Sequence, residues 1–512
     1  MVAHLAVVER GLTVDTFTNL ALGFGEALTL TNLAFCLIGV LLGTLIGVLP
    51  GLGPAATIAM LLPTTFALPP SAALIMIAGI YYGAQYGGST TAILINIPGE
   101  ATSIMTAVDG HQMALQGRAG IALSTAAIGS FIAGTISTAV IAFGAPVLAE
   151  VALSFGPAEY FSLMVAGLVG SVVLASGSIL KAIGMIFVGI LLGFVGTDTN
   201  SGAERFTLGM PELVYGLSFI SIAMGMFGIA EIIKNLEDGA SRTMLTKKVA
   251  GLMPSREDWG KIWAPILRGT FLGSALGLLP GGGALLASFA SYAVEKRVAH
   301  DPSEFGKGAI QGVAGPESAN NAGAQSAFIP MLTLGIPSNA VLALMVGALM
   351  IQGIAPGPQV MSKHPELFWG LIASMWIGNL FLLILNLPLI GLWVKLLTIP
   401  YHYLYPAILI FCGIGALSIN NQPVDIWIMA IFGIFGYVMH KLDCEPAPLL
   451  LGIILGKMVE EYLRRALLIS RGDAMVFIER PISALLLLAA LVALIAAVIP
   501  AFRRKREEAL EE

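Results

Sequence analysis

The chain has 512 residues, of which 57% are hydrophobic and 11% charged, with a formal charge of -5 and a mean hydropathy of +0.88. A soluble domain carries about 25% charged residues, so this composition excludes a soluble globular protein and leaves a chain that lives in a bilayer. The slight negative charge says nothing about partners, and no nucleic acid is expected among them.

In chain order, the N-terminus lacks a basic region followed by a short apolar core and a small-residue cleavage site, so no cleaved signal peptide is expected. Residues 1–27 form an N-terminal interfacial segment, in which Val14 to Thr29 mixes apolar and polar positions and lies along the interface or shields the first span. Apolar runs follow at Leu28 to Leu49, Ile121 to Leu148, Tyr160 to Ala175, Leu213 to Ile233, Leu367 to Leu397, Ile426 to Met439 and Ile482 to Ile499. Crossing a hydrocarbon core takes about 20 helical residues. None of the runs alternates as a barrel strand does. The predicted fold is therefore an all-α polytopic membrane protein with roughly 10–12 transmembrane helices plus re-entrant segments, by that length rule.

Two stretches repeat each other. GVLPGLGP from Gly47 leads to GAQYGGSTTAILINIPGE ending at Glu100, and GLLPGGGA from Gly277 leads to GPESANNAGAQSAFIPMLTLGIPSN ending at Asn339. Further landmarks keep the same order: Ile97-Pro98 and Ile336-Pro337, Ile128-Gly129-Ser130 and Ile377-Gly378-Asn379, Tyr160 and Tyr405, and helix starts near Ile179 and Pro423. The predicted organisation is a first transmembrane repeat at 28–233, a linker at 234–261, a second repeat at 262–470, and a final helix with a charged tail at 471–512. Lys234, Arg242, Lys247, Lys248, Arg256 and Lys261 cluster in or beside the linker, and Arg503, Arg504, Lys505 and Arg506 follow the last apolar run. Basic residues concentrate on the cytoplasmic side, which places the linker and the C-terminus there. An even number of crossings then separates them. Subtracting the final helix leaves an odd-numbered repeat, whose second copy must insert upside down, giving two inverted structural repeats.

Proline and glycine inside membrane helices free backbone groups that lipid cannot satisfy, so such breaks belong inside the bundle or beside a water-filled cavity. Gly87-Gly88 before Ser89-Thr90-Thr91 predicts a turn and a helix start capped by hydroxyls, with Pro98-Gly99 ending the run. Gly315-Pro316 leads to Ser318, Asn320 and Asn321, and Pro337-Ser338-Asn339 ends the corresponding run. Each repeat is thus expected to hold a re-entrant helical hairpin with a polar tip. Free N–H groups at a helix start, carrying roughly half a positive charge, suit an anion, and opposite carbonyls suit Na⁺. The alternative role for these hydroxyls and amides is local capping and helix packing. Neither hairpin contains Lys or Arg.

Glu100 and Glu317 are the candidate ion-coupling acids, because intramembrane acids mark ion or proton sites. Asp109 and His111 fit an interfacial connection equally well. Lys181 and Asp425 read as snorkelling helix ends, Arg268 as an anchor at the cytoplasmic interface, and Glu460, Glu461, Arg464 and Arg465 as an ion-paired solvated or interfacial face. Cys36, Cys412 and Cys444 are scattered buried thiols. Neither GxxxxGK[ST], HExxH nor G-x-S-x-G occurs, and the six histidines are too dispersed for a metal set. No enzyme activity, cofactor or bound metal is expected beyond a coupling Na⁺ or H⁺ at the hairpin tips.

With GVLPGLGP, YYGAQYGGSTTAILINIPGE, PESANNAGAQSAFIPMLTLGIPS and GIAPGP in this order, and GTDTNSGAERFTLG and PLLLGIILGKMVEEYLRRAL beyond them, the chain resembles the large membrane subunit of tripartite tricarboxylate transporters, the TctA family. The resemblance implies a bacterial inner-membrane permease, multi-pass, that works with a small TctB-like membrane subunit and a periplasmic TctC-like solute-binding protein. It implies uptake of citrate or another carboxylate driven by an ion gradient, with a transport domain moving against a scaffold. The implied substrate site comprises Gly87, Gly88, Ser89, Thr90 and Thr91 with Asn96, Pro98 and Gly99, and Ser318, Asn320, Asn321 and Gly323 with Pro337, Ser338 and Asn339. Gln325 departs from the small residues expected there and adds a substrate contact. The rival class is a passive anion channel or a membrane-embedded enzyme using the same cavity.

Overall fold

The computed structural model describes residues 16–49, 53–96, 99–174, 178–198, 201–238, 251–279, 283–396, 401–420 and 422–498. Pro50, Ile97, Pro98, Pro280, Arg242, Lys247, Lys248 and Arg503 to Arg506 lie outside the described residues.

The apolar runs fold as helices. In the first half these are α1 (Leu30–Val48), α2 (Pro54–Leu61), α3 (Pro70–Ile95), α4 (Ile104–Leu115), α5 (Ala119–Leu153), α6 (Pro157–Leu174), α7 (Ile179–Gly193) and α8 (Phe219–Glu237). In the second half they are α9 (Arg256–Leu276), α10 (Gly283–Val298), α11 (Gln311–Ser326), α12 (Phe328–Leu334), α13 (Ala340–Ile351), α14 (Pro365–Asn386), α15 (Tyr401–Asn420), α16 (Pro423–Lys441) and α17 (Pro446–Ile469), followed by α18 (Pro481–Val498). Among the described residues the only strands are Gly196–Thr197 and Glu204–Arg205, which form one short antiparallel ribbon. The protein is all-α and polytopic. Within the described residues five helices, α1, α5, α8, α14 and α16, are long and apolar enough to cross a membrane, and several shorter apolar helices accompany them. Large apolar side chains stand exposed on α7 (Leu180, Phe187, Leu191), α16 (Trp427, Ile431, Ile434) and α18 (Leu485, Leu488, Val492); faces of this kind are stable against lipid, not water.

Because lipid tails are as apolar as leucine, helices in a bilayer associate through close backbone packing rather than the hydrophobic effect. On α1, Gly39, Gly43 and Gly47 recur every fourth residue and meet Gly79, Gly83 and Gly87 of α3. A Cβ on Gly43 would stand 2.3 Å from the Ile80 carbonyl oxygen, and one on Gly83 2.7 Å from that of Val40. The pair α9 and α11 is built alike: Gly269, Gly273 and Gly277 press on the backbone at Gly315, Ala319 and Gly323, and a Cβ on Gly273 would stand 2.3 Å from the Ala319 oxygen. Residues 16–27 form a helix against α14, where Phe24 stacks on Trp376 at 5.8 Å.

Three local expectations do not hold. Gly87-Gly88 does not form a turn, and Ser89 to Thr91 do not cap a helix start: α3 runs unbroken from Pro70 to Ile95. Gly87 serves close packing, its Cβ position lying 2.5 Å from the Thr44 oxygen. The hydroxyls of Ser89 and Thr91 fold back onto their own helix, reaching the Gln85 oxygen at 3.0 Å and the Gly88 oxygen at 2.7 Å, which lets them sit in a helix interior. Gly315-Pro316 likewise lies within α11; the proline removes a single intrahelical hydrogen bond, and neighbouring helices hold the helix in place. The second half also starts earlier than Ile262, because Ser255 and Asp258 form a capping box that begins α9 at Arg256.

Candidate functional site

The turns expected at Gly87-Gly88 and Gly315-Pro316 are absent, whereas both runs end beside the Pro98-Gly99 and Pro337-Ser338-Asn339 segments, as expected, and at matching places. α3 ends at Asn96, whose backbone is left-handed with φ 56°, and α12 ends at Gly335 with φ 76°. Asparagine and glycine tolerate this region best, so NIPGE and GIPSN each end one helix and turn the chain into the next. After the first break Gly99 folds back on α3, its N–H donating to the Gly88 oxygen at 3.4 Å. A Cβ on Gly99 would lie 2.4 Å from the Gly88 Cα, which explains why glycine stands at both positions. After the second break Asn339 caps α13, its Oδ1 accepting the Leu342 N–H at 2.9 Å, while its Nδ2 donates to the Tyr81 hydroxyl of α3 at 2.9 Å. The second tip therefore touches the helix that leads into the first.

Glu317 lies at the centre, wholly buried on α11. Its Oε1 accepts the Thr106 hydroxyl at 2.5 Å, and its Oε2 accepts Ser89 at 2.7 Å and faces Ser130 at 3.4 Å. Asn321 donates to Ser130 at 2.6 Å and to the Glu317 backbone oxygen at 3.1 Å. Three helices of the first half, α3, α4 and α5, thus meet α11 of the second half at one carboxylate. Beside it a cavity of about 10 Å³ is bordered by Tyr86, Ser89, Thr90, Ser130, Glu317 and Asn386. Among the described residues no ion pair reaches Glu317.

A second group of polar side chains is buried without protein partners. Both amide atoms of Asn320, the Gln325 Oε1, the Ser318 and Ser338 hydroxyls and the Glu100 Oε1 belong to it. A buried polar group without a partner costs about 1–3 kcal/mol, so each of these atoms calls for a partner that the described residues do not supply. Glu100 is half-buried beside Gly88, with its Cγ 3.5 Å from where a Cβ there would stand.

Of the residues the sequence singles out, Ser89, Thr90, Asn321 and Glu317 come together, Asn339 joins α3, and Gly88, Gly99 and Glu100 form the first turn. Gly87 and Gly323 are packing positions, against α1 and against Ala284 of α10. Thr91 is satisfied within its own helix, Asn96 is exposed, and Pro337 is buried in the second turn. Asp109 is not exposed: it is fully buried, and its Oδ1 accepts the N–H groups of Gly306, Gly308 and Ala309 at 2.9, 2.8 and 2.9 Å. Its Oδ2 accepts the Tyr292 hydroxyl at 2.9 Å. Arg268 does more than anchor an interface, since it holds the buried Glu295 with two contacts at 2.8 and 2.5 Å. Glu460 and Arg464 pair at 2.6 Å and extend to Arg205 and Asp198.

Sequence reasoning missed Thr106, Tyr81 and Gln85, and used Ser130 only as a landmark. A signal existed for Ser130. Its counterpart in the repeated sequence, Asn379, is also polar and also central, accepting the Tyr86 hydroxyl at 2.7 Å and donating to the Phe131 oxygen at 2.8 Å. Nothing in the sequence distinguishes Thr106 from other helix hydroxyls.

Among proteins of known sequence, the chain is 60% identical over 499 residues, 98% of its own length and 99% of the relative's, to an uncharacterized 52.8 kDa protein in the TAR-I ttuC' 3' region of Agrobacterium vitis. It is 63% identical over 240 residues, 47% of its length and 99% of the relative's, to an uncharacterized protein in the TAR-II ttuC' 3' region of the same organism. No solved structure matches it. The profile of the tripartite tricarboxylate transporter TctA family matches residues 33–451. With the broken helices and buried polar centre in place, the match over most of its length shows that this membrane protein belongs to the tripartite tricarboxylate transporter TctA family.

Proposed function

We infer that the chain is the permease subunit of a binding-protein-dependent secondary transporter, importing a tricarboxylate or other carboxylate by cation symport with alternating access. The observation that carries this reading is the set of unpaired buried polar atoms on Asn320, Gln325, Ser338 and Glu100, on segments that hold no Lys or Arg. Amide and hydroxyl donors can receive a carboxylate there, but two acids, Glu100 and Glu317, already occupy the region. Burying a further uncompensated negative charge costs several kcal/mol. Entry of the anion therefore needs a cation or proton taken up with it, which is the physical basis of symport. A channel reading has no comparable support: the cavity beside Glu317 has only about 10 Å³.

The two halves follow one order, with α1 to α8 answering α9 to α17 through the glycine ladders and the left-handed breaks, and α11 with α12 together standing for α3. We take them as repeats of opposite membrane orientation, joined by the connection between α8 and α9, with the C-terminus cytoplasmic in a bacterial inner membrane. A small membrane subunit and a periplasmic solute-binding protein complete the assembly. The test of the site is equilibrium binding of a panel of di- and tricarboxylates to the purified complex. Hydrogen bonds to a charged ligand group contribute about 1.5–3 kcal/mol, so Asn320→Ala should weaken the bound carboxylate by about 10–100-fold, with Gln325→Ala similar or smaller. Parent affinity in both variants would remove these residues from the site.

A further inference from the structure

We propose that Glu317 is a proton-carrying group and that this chain is a proton symporter in which the proton rides on the link between the two halves. The proposal rests on the symport reading above and specifies its ion. Among the described residues every side-chain hydrogen bond to the Glu317 carboxylate comes from a hydroxyl, of Ser89, Thr106 and Ser130, and a hydroxyl can donate or accept. Ser89 shows what this permits. Its single proton has two acceptors in reach, the Gln85 oxygen at 3.0 Å and the Glu317 Oε2 at 2.7 Å. With Glu317 ionised, Ser89 donates to the carboxylate. With Glu317 protonated on Oε2, the new O–H donates to Ser89, whose own proton turns to the Gln85 oxygen. Both states leave these groups satisfied without moving a helix, so the site holds either.

A metal cation fits less well. The hydroxyl oxygens close on the carboxylate at hydrogen-bond distances, the adjoining cavity has room for about one water, and no metal-ligating group of three acids, histidines or cysteines exists among the described residues. Among the described residues no ion pair supplies Glu317 a counter-charge. From α3 the Tyr86 hydroxyl faces the site, engaged with Asn379, and the turn after α3 carries a further acid, Glu100. On α4, Asp109 is consumed by three backbone N–H groups and Tyr292, and His111 lies against the Ile93 oxygen. Arg268 of α9 and Glu295 of α10 pair with each other. The α5 helix carries only Glu150, in its last turn, and α12 carries no charge.

The proton is taken from the aqueous compartment to which the site opens, bonds to Oε2 as the substrate carboxylate enters, and returns to water on the other side as the substrate leaves. Charge-assisted hydrogen bonds are roughly twice as strong as neutral ones, so protonation also loosens the tie between α11 and the three helices of the first half. Loading the proton would in this way favour movement of one half against the other.

The test uses the complete complex in proteoliposomes with a trapped pH-sensitive dye. The parent should acidify the lumen in step with carboxylate uptake. Glu317→Gln, which keeps the shape of the protonated acid, should lose gradient-driven accumulation and the coupled proton signal while exchange of internal for external carboxylate persists and becomes insensitive to pH. Glu317→Asp, which retains a titrating carboxyl but draws it back from Ser89 and Thr106, should keep coupled uptake with a shifted pH profile. Coupled proton flux in Glu317→Gln equal to the parent's, or equal loss of all function in the Gln and Asp variants, would overturn the assignment. Parent uptake driven by Na⁺ without lumen acidification would overturn it while leaving the symport reading standing. Absence of any carboxylate uptake or exchange by the parent would defeat the symport reading, and the proposal with it.

Discussion

Asp109→Ala should destabilise the folded protein more than any single change in the proposed binding cluster. The Asp109 carboxylate is fully buried and joins α4 of the first half to the segment entering α11 of the second, through Gly306, Gly308, Ala309 and Tyr292. Alanine removes four charge-assisted contacts, each worth about 1.5–3 kcal/mol net when intact. Not all of that is lost. Gly306 is exposed and Gly308 half-buried, so water replaces much of their share, whereas the buried Ala309 N–H and the Tyr292 hydroxyl lose their acceptor. The resulting cost is about 2–5 kcal/mol, allowing about 1–3 kcal/mol for each buried group left unpaired. Thermal unfolding in detergent, read by tryptophan fluorescence and by loss of monodisperse protein, measures it. Asp109→Asn is the internal control: its Oδ1 still accepts the three N–H groups and its amide can donate to Tyr292, so most stability should return. Equal unfolding midpoints for Asp109→Ala and the parent would refute the clamp, and equal losses in the Ala and Asn variants would show that the charge itself, not the acceptor geometry, matters.

Gly43→Leu should disrupt the contact of α1 with α3, because even its Cβ would fall 2.3 Å from the Ile80 oxygen; overpacking of this kind costs about 1–3 kcal/mol or more, read as lowered yield of folded protein, whereas Gly25→Leu, with nothing near its Cβ position, should be tolerated. Asn339→Leu should lose both the α13 cap and the tie to Tyr81, a cap alone being worth about 0.5–2 kcal/mol, while Tyr81→Phe should lose only the tie; hydrogen exchange across residues 336–345 should rise in the first variant and stay near the parent's in the second.

Much of the architecture is legible in the sequence because bilayer thickness sets span length: the run Leu28 to Leu49 becomes Leu30–Val48, and Ile426 to Met439 becomes the core of Pro423–Lys441. The order of the repeated landmarks is legible too. The place of the breaks is legible only where the runs end, beside Pro98-Gly99 and Pro337-Ser338-Asn339, and not at the turns expected earlier in each run. Glycine in a membrane helix serves either a turn or a close neighbour, and only the position of the neighbour tells which. Gly87 packs against α1, whereas the turn comes at Asn96, where a left-handed backbone needs no glycine. Gly315-Pro316 misleads in the same way, because proline early in a helix removes little. At the centre, Glu317 and Ser89 can be picked from sequence since an acid and a hydroxyl in apolar surroundings are conspicuous. Their meeting across 228 positions is a product of packing between halves, as is the recruitment of Thr106. Asp109 looks interfacial beside His111, Gln112 and Gln116, and only the folding of residues 306–309 over it turns it into a buried clamp.

The most direct measurement of the central claim is uptake of labelled di- and tricarboxylates into proteoliposomes that hold this chain, its small subunit and the binding protein, with and without an inward gradient of protons or Na⁺. Accumulation above the outside concentration that needs the gradient, and that falls in Asn320→Ala and Ser89→Ala, is the result expected of a symporter working through the two broken helices. Equilibration without accumulation, indifferent to both substitutions, would contradict it.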